Sequence, residues 1–294
     1  MSSGERAKVS VTSLHQKKKL GQQITMLTAY DYPMAQIIDR AGVDIIFVSD
    51  SLAMVGLGQP STLPTTMDEM LHHTRAVARG CKYAFLLGCM PFMDYNTPED
   101  ARHNARRFLK EGGADGVEME GGWEMLEAVE AVVSAGVPVM AHIGLTRQFV
   151  SKYGKFTVLG RTAADAQDLV NLAVKLQDIG VAFVSVETIP EKVARIITET
   201  LQIPVIGIGA GRFCDGQALV TLDLLGLFEA FTPKFVRQYA NLWGETLGAF
   251  QSFKEDVERF RFPAPEHTFG MPEDEFELLK RNLRAKDYVV SEDG

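Results

Sequence analysis

Six side chains of this 294-residue sequence combine a reactive type with a place at the end of an apolar run: Asp50, Ser51, Cys89, Glu120, His142 and Glu187. Carboxylates with an imidazole and a hydroxyl are the groups that hold a divalent cation through oxygen and move a proton. Glu118 belongs beside them. In 117-VEMEGG-122 strand alternation sends Val117 and Met119 to one face and Glu118 and Glu120 to the other. An inward Glu118, one pleat below Glu120, must meet a cation, take a proton or open to water. Each residue also has a plainer reading. Strand-end carboxylates cap following helices, His142 between Ala141 and Ile143 can be a hydrogen-bonded core histidine, and Cys89 beside Gly88 can be a small packing residue. Asp31, in 31-DYPM-34, is a weaker candidate that also reads as a helix cap. What separates the readings is whether three carboxylates and a histidine converge on one end of the fold.

The elements that must position these groups show a weak internal repeat, a helix-ending glycine followed by an apolar run that closes on a polar residue. It occurs as 41-AGVDIIFVSD-50, 112-GGADGVEME-120, 135-AGVPVMAH-142 and 179-IGVAFVSVE-187. Glycine supplies the left-handed cap, and β-branched runs of this kind read as strands buried on both faces, hence parallel strands with helical crossovers. With 24-ITMLTAY-30, 83-YAFLLGC-89, 203-IPVIGIG-209 and, least clearly, 218-ALVTLDLLG-226, the runs number about eight. Helix starts are expected at Thr97 and Thr162, and a helical pattern runs over 232–260. The fold class is therefore α/β, a (β/α)8 TIM barrel, with a doubly wound open sheet as the alternative. Residues 1–261 form the barrel domain, and 262–294, rich in Pro and charge, a C-terminal tail with one helix near 273–285. In a barrel, groups at the carboxyl ends of the strands face a common ligand.

Composition narrows the classes. Net charge −8 and a hydrophobic content of 46% describe a globular chain without the basic face a nucleic-acid binder needs. The Lys17-Lys18-Lys19 run reads as a solvated face. Cys81, Cys89 and Cys214, widely spaced and odd in number, suggest neither a disulfide framework nor a zinc knuckle. With no apolar leader and no run of membrane-spanning length, the expectation is a cytoplasmic protein that engages neither membrane nor nucleic acid. The run 207-GIGAG-211 lacks the full dinucleotide fingerprint and reads as a tight turn at a strand end.

The stretches 26-MLTAYDYPMA-35, 48-VSDSLAMVGLG-58, 61-STLPTTMDEMLHHTRAVARG-80, 91-PFMDYNTPEDA-101, 142-HIGLTRQ-148, 204-PVIGIGAGRFCDGQALV-220 and 262-FPAPEHTF-269 resemble ketopantoate hydroxymethyltransferases from about residue 8 to 269. The resemblance implies a barrel of the phosphoenolpyruvate/pyruvate type that assembles as a homo-oligomer, a decamer in that family. It also implies transfer of a one-carbon unit from methylenetetrahydrofolate to a 2-oxo acid with Mg2+. By position, Asp50 would ligate the metal, Glu120 would hold it through water, Ser51 and His142 would touch the oxo acid, and Glu187 would be the base.

Two positions depart from that pattern. The family's "LADLPF", whose aspartate binds metal, is here 87-LGCMPF-92, which puts Cys89 in the metal set and favours a softer ion. The family's "KIEGG", whose lysine pairs with the substrate carboxylate, is here 118-EMEGG-122, which makes Glu118 a substrate-facing residue suited to an amine or hydroxyl. A unit charge at 4 Å is worth about 4 kcal/mol at an effective dielectric of 20, so inverting it could move a bound carboxylate by roughly twice that. The expectation is a hydroxymethyltransferase-like enzyme of metal-assisted aldol-type C–C chemistry on a 2-oxo acid or related carbonyl compound, with altered substrate or metal preference. The alternative is a non-catalytic relative that binds a metabolite or serves in an assembly.

Overall fold

The computed structural model describes residues 6–153, 158–286 and 288. The last few residues of the expected tail lie outside them. The chain divides into two compact units, Met1–Asn241 and Leu242–Gly294.

Eight parallel strands close the first unit into a barrel in sequence order: β1 (Ile24–Thr28), β2 (Ile45–Val48), β3 (Phe85–Cys89), β4 (Gly116–Glu120), β5 (Val139–Gly144), β6 (Phe183–Glu187), β7 (Val205–Ile208) and β8 (Gly216–Leu219). Closure comes from β1 pairing with β8, Ile24 opposite Gly216. Gly216 is required there, because a Cβ would sit 2.5 Å from the Ile24 carbonyl oxygen. Helices fill the connections, with their starts set by side-chain caps: Thr97 accepts from Asp100 N and Thr162 from Asp165 N, as the sequence suggests. Asp31 takes its plainer role and caps the helix Tyr32–Arg40 through Met34 N.

The structure differs from the sequence reading in three places. The eighth strand lies at Gly216–Leu219, earlier than the apolar run suggests, and Thr221–Leu224 forms a helical turn. That turn is pinned by Thr221, whose N donates to Thr28 Oγ1 and whose hydroxyl donates to the Thr28 carbonyl at 2.6 Å. The pattern over 232–260 becomes helix only at Leu242–Glu258. The residues before it run irregularly at the barrel mouth, where Phe235 packs on Gly209. Finally, Lys17 and Lys18 are not a solvated face: they pair with Asp44 at 2.6 Å and Asp215 at 2.7 Å. Asp44 and Asp215 also accept from the backbone of Thr25 and Val205, so the last turn of the helix Val11–Lys19 is tied to the strands' amino ends.

The second unit holds the helices Leu242–Glu258 and Glu273–Arg284, the latter near the expected position. Trp243, Leu247, Phe250 and Phe253 along the first of them are exposed. Among the described residues no helix is long and apolar enough to cross a membrane.

One glycine fixes the rim where the site will be found. Gly144, at the end of β5, has φ 96°, and a Cβ there would lie 2.5 Å from the Glu187 carbonyl oxygen. Leu145 N donates to that same oxygen at 2.8 Å, so β5 and β6 end in close register. Replacing Gly144 by Ala is expected to destabilise the fold by about 2 kcal/mol or more, from left-handed strain and the backbone clash together. Urea denaturation of the Gly144→Ala protein measures this.

Candidate active site

Alternation decides which side chains see the barrel interior. On β4, Glu118 and Glu120 face the cavity, and Val117 and Met119 are buried in the core on the other face. Neighbouring strands put Glu118 opposite Cys89 and Met140, and Glu120 opposite His142. The carboxyl ends of β2, β4, β5 and β6 thereby bring Asp50, Ser51, Glu118, Glu120, His142 and Glu187 to one cavity. It opens to solvent at the mouth, where Phe228, Phe231, Pro233 and Phe235 supply an apolar wall.

Cys89, the other sequence candidate, is buried but does not line the cavity. Its sulfur lies 3.5 Å from Gln148 Nε2. Burial, followed by the nearby Asp50 and Glu118 charges, pushes its thiol well above the usual range.

The cavity is short of positive charge. Asp50, Glu118, Glu120, Glu187 and Asp223 line it, against His142 and Arg147 among the described residues. The carboxyls respond accordingly: burial first, then the Glu118 charge, lift Asp50 to about 6. Burial also drives Glu120 well above the ordinary carboxylate range, with His142 opposing and Asp50 and Glu118 reinforcing.

His142 answers the question posed by Glu118. Its Nδ1 is 3.0 Å from Glu118 Oε1 and its Nε2 3.0 Å from the Leu145 carbonyl, so both ring nitrogens meet acceptors. Desolvation favours the neutral ring, but the hydrogen bond to Glu118 and the charges of Glu120, Glu118 and Glu187 outweigh it and raise the imidazole to about 10. With an acceptor at each nitrogen, the ring is held as an imidazolium. Among the described residues, buried Glu118 Oε2 meets no hydrogen-bond partner within bonding geometry.

Four further residues shape the site, and strand-end reasoning passed over them. Gln148, fully buried, joins three strand ends: its amide nitrogen donates to Asp50 Oδ2 at 3.0 Å and to the Met90 carbonyl at 2.9 Å, and its backbone N donates to Glu120 Oε1 at 2.8 Å. Tyr95, also buried, places its hydroxyl against Gln148 Oε1 and the Glu120 carbonyl. Tyr30 bonds the Ser51 hydroxyl at 2.8 Å. Arg147 reaches Glu187, Nε to Oε1 at 3.2 Å, from the turn after β5. Arg147 and Gln148 stand in 142-HIGLTRQ-148, where a charged residue and an amide directly after a strand are the available signal.

A family model described as ketopantoate hydroxymethyltransferase matches residues 8–265. A 3-methyl-2-oxobutanoate hydroxymethyltransferase of Oleidesulfovibrio alaskensis is 51% identical over 90% of this chain and 92% of its own. One of Moorella thermoacetica is 48% identical over 90% and 99%. Among solved structures, a phosphonopyruvate hydrolase in complex with oxalate and Mg++ aligns with TM-score 0.59 at 12% identity, covering 95% of this chain and 99% of that one. A 2,3-dimethylmalate lyase, a PEP mutase/isocitrate lyase superfamily member, aligns with TM-score 0.57 at 14% identity over 94% and 97%. At such low identity these two share the fold alone. The likeness at half identity is of another order and takes in every strand of the barrel and the residues at its mouth: this chain belongs to the ketopantoate hydroxymethyltransferase family.

Proposed function

We propose that the protein transfers a hydroxymethyl unit to the α-carbon of a 2-oxo acid of the 3-methyl-2-oxobutanoate type, the reaction its relatives are named for. One observation carries the reading: Asp50, Ser51, Glu120, His142 and Glu187, drawn from four strand ends, line a single cavity. In this reading methylenetetrahydrofolate is the one-carbon donor and the working form is a homo-oligomer.

The donor chemistry fits a divalent cation of the oxygen-loving kind. Asp50 and Glu120 offer buried carboxylate oxygens in a cavity with surplus negative charge. Among the described residues no three His, Cys, Asp or Glu side chains form a ready-made cluster, so Asp50 and Glu120 would hold a cation only together with substrate oxygens and water. Cys89, with its proton retained, packs against Gln148, and the set suits Mg2+ better than a soft ion. Once bound, such a cation would polarise the substrate carbonyl and ease loss of the α-proton.

The chain's own groups do the rest. Glu187, at the end of β6, takes the α-proton; its Oε2 lies 3.7 Å from His142 Nε2. The His142 imidazolium adds fixed positive charge beside the developing enolate oxygen, while its N–H groups stay on Glu118 and Leu145. Ser51, oriented by Tyr30 and by the Ser49 hydroxyl at 2.9 Å, offers a hydroxyl to the oxo acid. The apolar wall excludes water from the enolate before it attacks the one-carbon electrophile.

Three outcomes follow. The wild-type protein with Mg2+ should exchange the α-proton of 3-methyl-2-oxobutanoate for deuterium, and Glu187→Gln should slow this by about 10²-fold or more; equal rates by NMR would remove Glu187 as the base. Calorimetry with Mg2+ should show a site that Asp50→Asn weakens by at least about tenfold, since that ligand's charge is lost. Glu118→Lys alone should lower stability by about 3–5 kcal/mol, because it sets a second cation beside His142. Adding Cys89→Asp should return part of that loss in the same denaturation assay.

A further inference from the structure

We infer that Asp223 and the aromatic wall beside it seat the bicyclic ring of the one-carbon donor, with the Asp223 carboxylate accepting from the ring's adjacent N–H and amino groups. The inference rests on the reading above, in which that donor is methylenetetrahydrofolate, and it adds where the ring is recognised.

Asp223 stands in the helical turn Thr221–Leu224 that follows β8, and it lines the cavity. The strands close in sequence order, so β8 lies across the barrel from β4, whose Glu118 and Glu120 line the same space. The residue is only 7% exposed. Among the described residues no hydrogen bond or ion pair reaches its carboxyl. A carboxyl buried to that extent secures partners when its role is structural, because leaving it bare costs free energy. Nor does Asp223 hold its own turn. Thr221 does so, through its two bonds to Thr28. What Asp223 lacks is a ligand that brings N–H groups.

Two partners in the reaction do not suit it. The oxo acid carries a carboxylate, which a second carboxylate repels. The divalent cation goes to Asp50 and Glu120, and Asp223 stands apart from them: burial lifts its carboxyl, Arg147 opposes, and no other carboxylate acts on it.

The surroundings suit the third. Phe228 N donates to the carbonyl of Leu222, the residue before Asp223, and Tyr239 N donates to the Leu224 carbonyl, the residue after, at 2.8 Å. The segment that carries the aromatic wall therefore leaves from the Asp223 turn and returns to it. Phe235 within that segment is seated on Gly209, whose φ of 62° leaves no room for a Cβ beside the ring. An amino-pyrimidinone ring offers an N–H and an amino group side by side and two flat faces. A carboxylate matches the pair with two parallel hydrogen bonds, and aromatic side chains pack on the faces. Held there, the donor shares one cavity with Glu187, the group that generates the enolate.

Calorimetric titration under reducing conditions supplies the test. The ligands are tetrahydrofolate, 6-methyltetrahydropterin and 2-desamino-2-methyltetrahydrofolate, which lacks the amino group. Wild type, Asp223→Asn and Phe231→Ala are each checked for folding by circular dichroism. Asp223→Asn should weaken the first two ligands by roughly 10- to 100-fold, the worth of hydrogen bonds to a charged group. The desamino compound should change by less than about threefold, since the amide keeps one acceptor for the ring N–H. Phe231→Ala, which removes an exposed ring, should weaken all three ligands by roughly 3- to 10-fold. Unchanged binding in either variant overturns the inference, and so does an Asp223→Asn loss that is the same for the desamino compound. α-Proton exchange of 3-methyl-2-oxobutanoate by wild type judges the proposed function separately. Exchange without binding of either amino-bearing ring sinks this inference and leaves the oxo acid chemistry standing. Ring binding that depends on Asp223, without exchange, does the reverse.

Discussion

Too little positive charge in a buried place is the constraint from which the site's other features follow. Among the described residues five carboxyls share a cavity with one imidazole and one guanidinium, away from most of the solvent that would screen them. The upward displacement of Asp50 and Glu120, which burial leads and neighbouring charge adds to, and the positive ring of His142 are responses to that setting. So is the reach of Arg147 from the rim to Glu187. A cation of charge two would relieve the imbalance.

Much of this was legible in the sequence because a parallel barrel translates order along the chain into place. Apolar runs that close on Asp50, Glu120, His142 and Glu187 had to end at the same rim once the strands were parallel. Glycine-terminated helices marked where most of those runs began. Glu118 was legible as an anomaly, a charge on the inner face of a buried strand, although its partner was not. His142 had been read as a ligand for substrate, and its pairing with Glu118 depends on the register of β4 and β5, which no local pattern states.

The unread parts are those that long-range contacts decide. Gln148 and Arg147 lie past the end of β5, where a short 3-10 turn aims two successive side chains at different walls, one to Asp50 and the other to Glu187. Thr221 ends the last strand early because Thr28, far away in sequence, offers it two hydrogen bonds. Residues 232–241 have helical spacing, yet Phe235 is claimed by Gly209 at the barrel mouth. The lysines near the amino end were read as solvent-facing because their partners, Asp44 and Asp215, precede strands that only the closed barrel sets beside them. Propensity proposes in each case, and a contact between distant segments disposes.

The pleat of β4 places Glu118 one step beneath Glu120. Depth in the barrel thereby acquires chemical meaning. The upper carboxylate belongs to the working level, shared with Asp50, and the lower one forms the floor. A visitor is judged there last, by whichever of its atoms travels furthest in. Exchange of a single residue at that floor also reaches the level above, because Glu118 holds the His142 ring.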